Sequence, residues 1–132
     1  MKVVVDTNVL VRIFTDDDQA QNRAANDALD RADTVILTLP MLCELAWVLG
    51  RAYGTSRKDV AAIFRSLIES ENVEVNRPAA EAGLAMLDAG GDFADGVIAY
   101  EGRRLGADAF LSFDRKAVRL LETLGEPAQL LG

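Results

Sequence analysis

The chain begins, directly after Met1, with the stretch Lys2-Val3-Val4-Val5-Asp6-Thr7-Asn8, a short run of β-branched residues that ends on an acid. Short valine-rich runs are typical of buried strands, and the end of a parallel strand is where α/β folds place their ligands. Three further runs of this kind predict strands. The four predicted strands are Lys2 to Val5, Thr34 to Thr38, Val73 to Val75 and Ala109 to Phe113.

Longer segments with helical periodicity separate these strands. Ser56 and Asp59 have the spacing of a capping box, and Pro40 and Pro78 suit the first turns of two other helices. Strands that alternate with helices indicate a parallel sheet that is covered on both faces. At this length we expect a single α/β domain over residues 1–132.

The composition excludes several classes of protein. There is no histidine and only one cysteine, so Ser-His-Asp and Cys-His catalysis and nearly every zinc site are excluded. The net charge of −7 argues against non-specific binding to duplexes. No apolar run is long enough to span a membrane, and Met1-Lys2 leads into a strand without a signal-peptide pattern, which predicts a cytoplasmic protein without a membrane partner.

Four carboxylates stand at the ends of otherwise apolar segments: Asp6, Glu44, Asp95 and Asp114. Charged groups rarely join hydrophobic runs unless something pairs them. These acids have no obvious basic partners in the sequence, so the pattern points to a cation. Oxygen ligands select hard ions, which favours Mg²⁺ or Mn²⁺.

For Asp6 and Glu44 a purely structural role is the alternative to metal binding. Asp6 could be a helix N-cap after the first strand, but Thr7 or Asn8 could cap equally well, and a functional role is therefore favoured. Glu44 lies in an apolar helical run beside Leu45 and would be costly to bury unpaired. We therefore expect Glu44 to face a polar cavity or a cation.

The later acids lie near two helix starts. Asp92 and Asp95 have the spacing of a capping pair, so Asp92 is as readily a cap as a ligand, whereas Asp95 lies inside the helix and is the better ligand candidate. Asp114 could cap the helix from Arg115 to Leu124, or it could bind water or metal together with Ser112. The turn Asp16-Asp17-Asp18 is expected to be solvated. A solvated helix face is also expected for the basic residues near the last two acids, with phosphate contacts as the alternative; they are Arg103, Arg104, Arg115, Lys116 and Arg119.

Five motifs, taken in order, resemble the PIN-domain ribonucleases of the VapC toxin type, the toxins of type II toxin–antitoxin pairs. They are Asp6-Thr7-Asn8-Val9-Leu10, the segment from Leu42 to Leu49 around Glu44, Arg51-Ala52-Tyr53-Gly54, the segment from Asp92 to Ala99, and Leu105-Gly106-Ala107-Asp108 followed by Ser112-Phe113-Asp114-Arg115.

The resemblance implies a three-layer α/β/α sandwich with a central parallel sheet and Mg²⁺- or Mn²⁺-dependent cleavage of RNA, with transfer RNA as an expected substrate. It also implies a homodimer and a cognate antitoxin as partners. By motif, Asp6, Glu44 and Asp95 correspond to the core metal-binding acids, Asp114 to a fourth acid and Asp92 to an accessory one. Thr7, Asn8 and Ser112 are supporting residues, and Ser112 stands where the family often has threonine. Gly96 replaces the usual alanine, which would loosen its helix turn.

Three other functions compete with this one. Aspartate-nucleophile phosphatases also begin with an acid after the first strand, but they need a second aspartate two residues later, where this chain has Asn8. A phospho-receiver domain needs paired acids and a late-strand lysine that are missing here. A non-catalytic module of the same fold that binds RNA or protein is the third alternative, and a cleavage assay with and without EDTA separates it from a nuclease.

Overall fold

Short strands alternate with longer helices throughout residues 1–132, all of which the computed structural model describes. No helix combines the length and apolar character that crossing a membrane demands. The five strands and seven helices are, in order, β1 (Lys2–Val4), α1 (Thr7–Phe14), α2 (Gln19–Arg31), β2 (Thr34–Leu37), α3 (Leu39–Arg51), α4 (Arg57–Glu69), β3 (Val73–Val75), α5 (Arg77–Asp88), α6 (Phe93–Arg104), β4 (Phe110–Ser112), α7 (Arg115–Thr123) and β5 (Ala128–Leu130).

The chain divides into two compact units, Met1–Asn76 and Arg77–Gly132, which we call unit 1 and unit 2. Unit 1 contains α1 to α4 with the first three strands, and unit 2 contains the remaining elements. The expectation of one domain over residues 1–132 stays a prediction.

Unit 1 is built on a three-stranded parallel sheet in the order β1-β2-β3. Val35 in the central strand lies opposite Val3 and Val73. Val35 and Leu37 are buried and the alternate residue Ile36 is half-buried, so both faces of the central strand are covered, as parallel sheets require.

Helix α3 supplies much of the core of unit 1. Leu42, Leu45 and Leu49 recur at helical spacing and are at most 1% exposed, which is the buried stripe of an amphipathic helix. The helix begins after Thr38 and has Pro40 in its first turn, where a missing N–H leaves no hydrogen bond unmade. The prediction that Pro40 marks a helix start is confirmed.

Unit 2 pairs β4 with β5 in parallel and packs α5 closely against α6. A Cβ atom on Gly96 of α6 would lie 2.5 Å from the carbonyl oxygen of Ala82, and one on Gly83 of α5 would lie 2.5 Å from the ring of Phe93. Real side chains do not tolerate such distances, so these glycines permit the two helices to approach. Gly96 therefore permits the close packing of α6 against α5, and the expectation that it loosens its own helix turn stays a prediction.

A hydrophobic cluster in unit 2 joins α5, α6 and α7 to the strands β4 and β5. Its fully buried members are Met86, Ala99, Ala117 and Leu121, and Phe110, Leu120 and Ala128 pack against them. This cluster holds β4 in place, and β4 leads directly to Asp114.

The predicted strands all exist, with ends that differ by at most one residue from those observed. The helix starts at Ser56 and Pro78 are confirmed as well. The strand β5 was not predicted. Its sequence, Ala128-Gln129-Leu130, contains no β-branched or aromatic residue, so only its pairing with β4 makes it a strand.

Candidate functional site

Asp6 follows the end of β1 and is the N-cap of α1. Its Oδ1 accepts a hydrogen bond from the backbone N–H of Val9 at 3.2 Å. Of the caps that the sequence left open, the structure shows Asp6, since Thr7 and Asn8 already belong to the first turn of α1. Asp6 is exposed, and its Oδ2 takes part in no hydrogen bond.

Glu44 lies in the second turn of α3 and is exposed to solvent. The buried stripe of this helix runs through Met41 and Leu45, whereas Glu44 shares the opposite stripe with Trp47, which is 63% exposed. The sequence predicts that Glu44 faces a polar cavity or a cation, since burying it unpaired among apolar neighbours would be costly. The structure shows that no such burial exists, so the carboxylate is free to bind a ligand on the open side of α3.

Asp92 and Asp95 lie at the start of α6. Asp92 is the N-cap, and its Oδ1 accepts a hydrogen bond from the N–H of Ala94 at 3.1 Å. Asp95 is in the first turn and half-buried. It makes neither a hydrogen bond nor an ion pair with a protein group. The prediction that Asp92 caps the helix while Asp95 projects from inside it agrees with this geometry.

Asp114 is the N-cap of α7, and its Oδ1 accepts hydrogen bonds from the N–H groups of Lys116 and Ala117 at 3.0 and 3.1 Å. Ser112, the last residue of β4, accepts a hydrogen bond from the N–H of Asp114 through its hydroxyl oxygen at 2.9 Å. Ser112 thus fixes the turn from β4 to Asp114.

The three N-cap acids share one arrangement. In Asp6, Asp92 and Asp114 the same oxygen, Oδ1, is held by the backbone, and Oδ2 accepts no hydrogen bond. An N-cap carboxylate is orientated by these bonds, and its negative form is favoured by the helix macrodipole. Capping and ligand binding are therefore compatible roles, and the cap holds the carboxylate with one oxygen free.

Electrostatics single out Asp95 among the acids of unit 2. Burial raises the pKa of Asp95 above its usual value, and the negative charges of Asp92 and Asp114 raise it further. Since no cation of the protein pairs with it, its ionised form carries an uncompensated charge.

The donor set fits a hard divalent cation in its chemistry. All candidate ligands are carboxylate oxygens, which suit Mg²⁺ and Mn²⁺, and the uncompensated charge of Asp95 would be relieved by such an ion. In unit 2 the charges of Asp92 and Asp114 act on Asp95. In unit 1 Asp6 is the N-cap of α1 and Glu44 lies on α3. Neither unit contains three acidic side chains already assembled as a metal-binding group.

A polar network that the sequence did not predict links α1 to the end of α3. Asp17, expected to be a solvated turn residue, accepts hydrogen bonds from Arg12 at 2.8 Å, Thr15 at 3.1 Å and the hydroxyl of Tyr53 at 2.8 Å. The Tyr53 hydroxyl, followed by Thr15 and Arg12, lowers the pKa of Asp17. No local pattern connects residues 36 positions apart, so this network could not be found from the sequence.

Because α1 carries Asp6 and α3 carries Glu44, the network ties together the two acid-bearing helices of unit 1. We expect Asp17→Ala to lower the melting temperature by a few degrees, since three hydrogen bonds are lost. The neighbouring Asp16 is exposed and makes no such bond, so Asp16→Ala is the matched control and should leave melting unchanged. Equal melting curves for both variants, recorded by circular dichroism, would contradict the importance of the network.

The basic residues near the last two acids are all exposed, as expected of a solvated surface. Arg103 forms an ion pair with Glu126 at 3.0 Å, and this pair borders a cavity of about 280 Å³ lined by α6, by β4 with the segment before it, and by Glu126 and Pro127. The group comprises Arg103, Arg104, Arg115, Lys116 and Arg119.

Comparison with known proteins gives one family. The model of the PIN domain matches residues 3–121, which is most of the chain and includes all the candidate acids. No protein of curated function matches the sequence. Together with the parallel strands and the helices between them, the family match confirms the predicted fold class, α/β with the three-layer α/β/α arrangement.

Proposed function

The chain belongs to the PIN-domain family, whose members are generally nucleases that use divalent metal ions, and we propose that it is an endoribonuclease dependent on Mg²⁺ or Mn²⁺. The observation that carries this proposal is Asp95, a half-buried carboxylate without a counter-charge, flanked by two further acids. An unpaired, half-buried carboxylate adds nothing to the stability of a protein. Its presence is expected where a cation binds.

In this proposal Asp6, Glu44 and Asp95 have the role of the core metal-binding acids, to which they correspond by motif, and Asp92 that of an accessory acid. A bound divalent cation supplies Lewis-acid polarisation of the scissile phosphodiester and charge neutralisation. Asp114 assists at a second metal or orients the attacking water, and either role is supported by an Oδ1 fixed by two backbone N–H groups and an Oδ2 that remains an open acceptor. Ser112 supports this role by holding the backbone of Asp114.

Because the chain has no histidine, we assign general acid–base catalysis to carboxylates. Thr7 and Asn8 contribute by forming the first turn of α1, which orients Asp6.

The finer parts of the proposal rest on the resemblance of the motifs to toxins of the VapC type. On that basis the protein is a cytoplasmic homodimer that cleaves structured RNA such as transfer RNA, and a cognate antitoxin inhibits it. A short neighbouring gene for a DNA-binding protein would support this role, and co-purification of its product would test it.

The second candidate function is a non-catalytic module of the PIN fold that binds RNA or protein. The exposure of Asp6, Glu44 and Asp114 is compatible with binding alone. The three acids would then be dispensable, whereas a nuclease requires each of them.

Asp6→Asn tests the proposed activity, because asparagine caps a helix as well as aspartate but carries no charge. We expect the variant to fold and melt like the wild type, and to lose about 100-fold or more in the rate of RNA cleavage, since several kcal/mol of transition-state stabilisation depend on the metal. Labelled transfer RNA is incubated with both proteins in Mg²⁺ and in EDTA. Cleavage that persists in EDTA, or full activity of Asp6→Asn, would contradict the proposal.

A further inference from the structure

Trp47, the only tryptophan of the chain, lies on the open side of α3 with 63% of its surface exposed. The other side of this helix is buried through Leu42, Leu45 and Leu49. Tryptophan has the largest apolar surface of any side chain and is highly buried on average. A single tryptophan on the solvent side of a core helix therefore indicates a binding role more than a structural one.

Arg51 stands one turn beyond Trp47, with its guanidinium 6.0 Å from the centre of the indole ring. This is a cation–π distance, and Arg51 forms no ion pair with an acid of the protein. Gly50, between them in the sequence, has nothing within 4 Å of the position of a Cβ atom. The surface beside the indole is therefore open, and a positive charge lies at its edge.

Glu44, Trp47 and Arg51 occupy one stripe of α3, because residues three and four apart share a helix face. With a rise of 1.5 Å per residue, Trp47 lies about 4.5 Å and Arg51 about 10.5 Å along the helix from Glu44. The stripe thus presents, in order, a proposed metal ligand, an aromatic surface and a cation.

This order matches the chemistry of a nucleotide strand. Proteins bind single-stranded nucleic acid by stacking bases on aromatic rings, with arginine contributing cation–π and phosphate contacts. Stacking on the indole adds affinity that does not depend on neutralising phosphates, which matters in a chain with a net charge of −7 that is poorly equipped for binding through phosphates alone. Protein–protein interfaces are enriched in tryptophan and arginine but depleted of glutamate, and here Glu44 lies one turn from the ring.

We propose that Trp47 is the stacking platform for an unpaired base of the RNA substrate, and that Arg51 contacts the phosphate on the side away from Glu44. This inference rests on the proposed function, in which Glu44 binds the metal at the scissile phosphate. It makes Trp47 a binding residue that sets which strands enter the site, without a part in the chemical step.

The fluorescence of Trp47 reports the contact directly, since no other tryptophan contributes. We expect the emission of the inactive Asp6→Asn protein to be quenched to saturation by a single-stranded RNA of about eight nucleotides. In active protein, Trp47→Ala should raise the KM for RNA about tenfold, as expected for the loss of one stacked base, and leave kcat within twofold. Trp47→Phe should restore most of the binding.

Leu105→Ala is the matched control, because Leu105 is 89% exposed in unit 2 and carries no proposed role; its KM should be unchanged. An emission that responds to protein concentration but not to RNA would overturn the proposal and identify Trp47 as a contact with another protein chain. An unchanged KM in Trp47→Ala would overturn it too. Quenching by RNA without any cleavage by the wild type would support the stacking platform and contradict the nuclease function.

Discussion

Asp95→Asn is expected to abolish metal-dependent cleavage of RNA and, at the same time, to raise the melting temperature of the metal-free protein. The loss of activity should be about 100-fold or more, because a ligand that neutralises transition-state charge is removed. The gain in stability follows from the position of Asp95, whose half-buried charge lies near Asp92 and Asp114. A catalytic variant that is more stable than its parent is characteristic of an active-site carboxylate.

The direction of the pH effect supports the same expectation. The pKa of Asp95 is higher in the folded chain than its ordinary value of 3.8. Its contribution to stability is therefore complete below that value and is lost as the pH rises through the higher folded pKa. At neutral pH the ionised group lowers the free energy of unfolding, and asparagine removes this penalty.

Thermal melting with and without Mg²⁺ measures both effects. A ligand that binds only the folded state at 100 times its Kd adds about 2.7 kcal/mol of stability, so Mg²⁺ should raise the melting temperature of the wild type and leave that of Asp95→Asn unchanged. Asp108→Asn, an exposed acid of the same unit, is the control and should respond to Mg²⁺ like the wild type. An equal response of Asp95→Asn would show that Asp95 does not bind the ion.

Gly96→Ala is expected to destabilise the protein by about 1 to 3 kcal/mol, the range for overpacking a close contact. The added methyl group would lie 2.5 Å from the carbonyl oxygen of Ala82, 2.8 Å from Cβ of Met86 and 2.9 Å from Cα of Gly83. Two of these atoms belong to the backbone and cannot rotate away, so α6 must shift. Because Asp95 is the preceding residue, we also expect cleavage to fall.

Gly50→Ala is the matched control for Gly96→Ala. It also lies in a helix, but nothing is within 4 Å of its added methyl group, and alanine is favoured over glycine in helices by about 0.5 to 1 kcal/mol. Urea denaturation should therefore give opposite signs for the two variants. If Gly96→Ala were as stable as Gly50→Ala, the close approach of α5 and α6 would be wrong.

Much of the fold could be predicted because its signals are local. Runs such as Lys2 to Val5 and caps such as Ser56 predict their elements within one residue, since a strand needs its β-branched residues and a helix end needs its orphan N–H groups satisfied. The strand β5 depends on pairing with β4 instead. The role of Gly96 could not be found either, because it arises from the backbone of another helix.

The candidate site, like the fold, was predictable where the signal is local and not where it depends on the folded structure. Its residue types and their positions after strands and in first turns were predictable, and Asp92 and Asp95 lie where the spacing placed them. The choice of Asp6 over Thr7 as the cap was not, because several residue types satisfy the same N–H groups. Glu44 avoids unpaired burial because its apolar neighbours Leu42 and Leu45 lie on the opposite side of α3, and its role as a metal ligand stays a prediction.

A crystal of the full chain soaked in Mn²⁺ and measured at the manganese absorption edge tests the account most directly. We predict an anomalous peak bonded to the carboxylate of Asp95 at about 2.1 Å, the length of hard metal–oxygen bonds in proteins. A map without a peak at this carboxylate, from crystals soaked at a concentration that supports RNA cleavage, would contradict it.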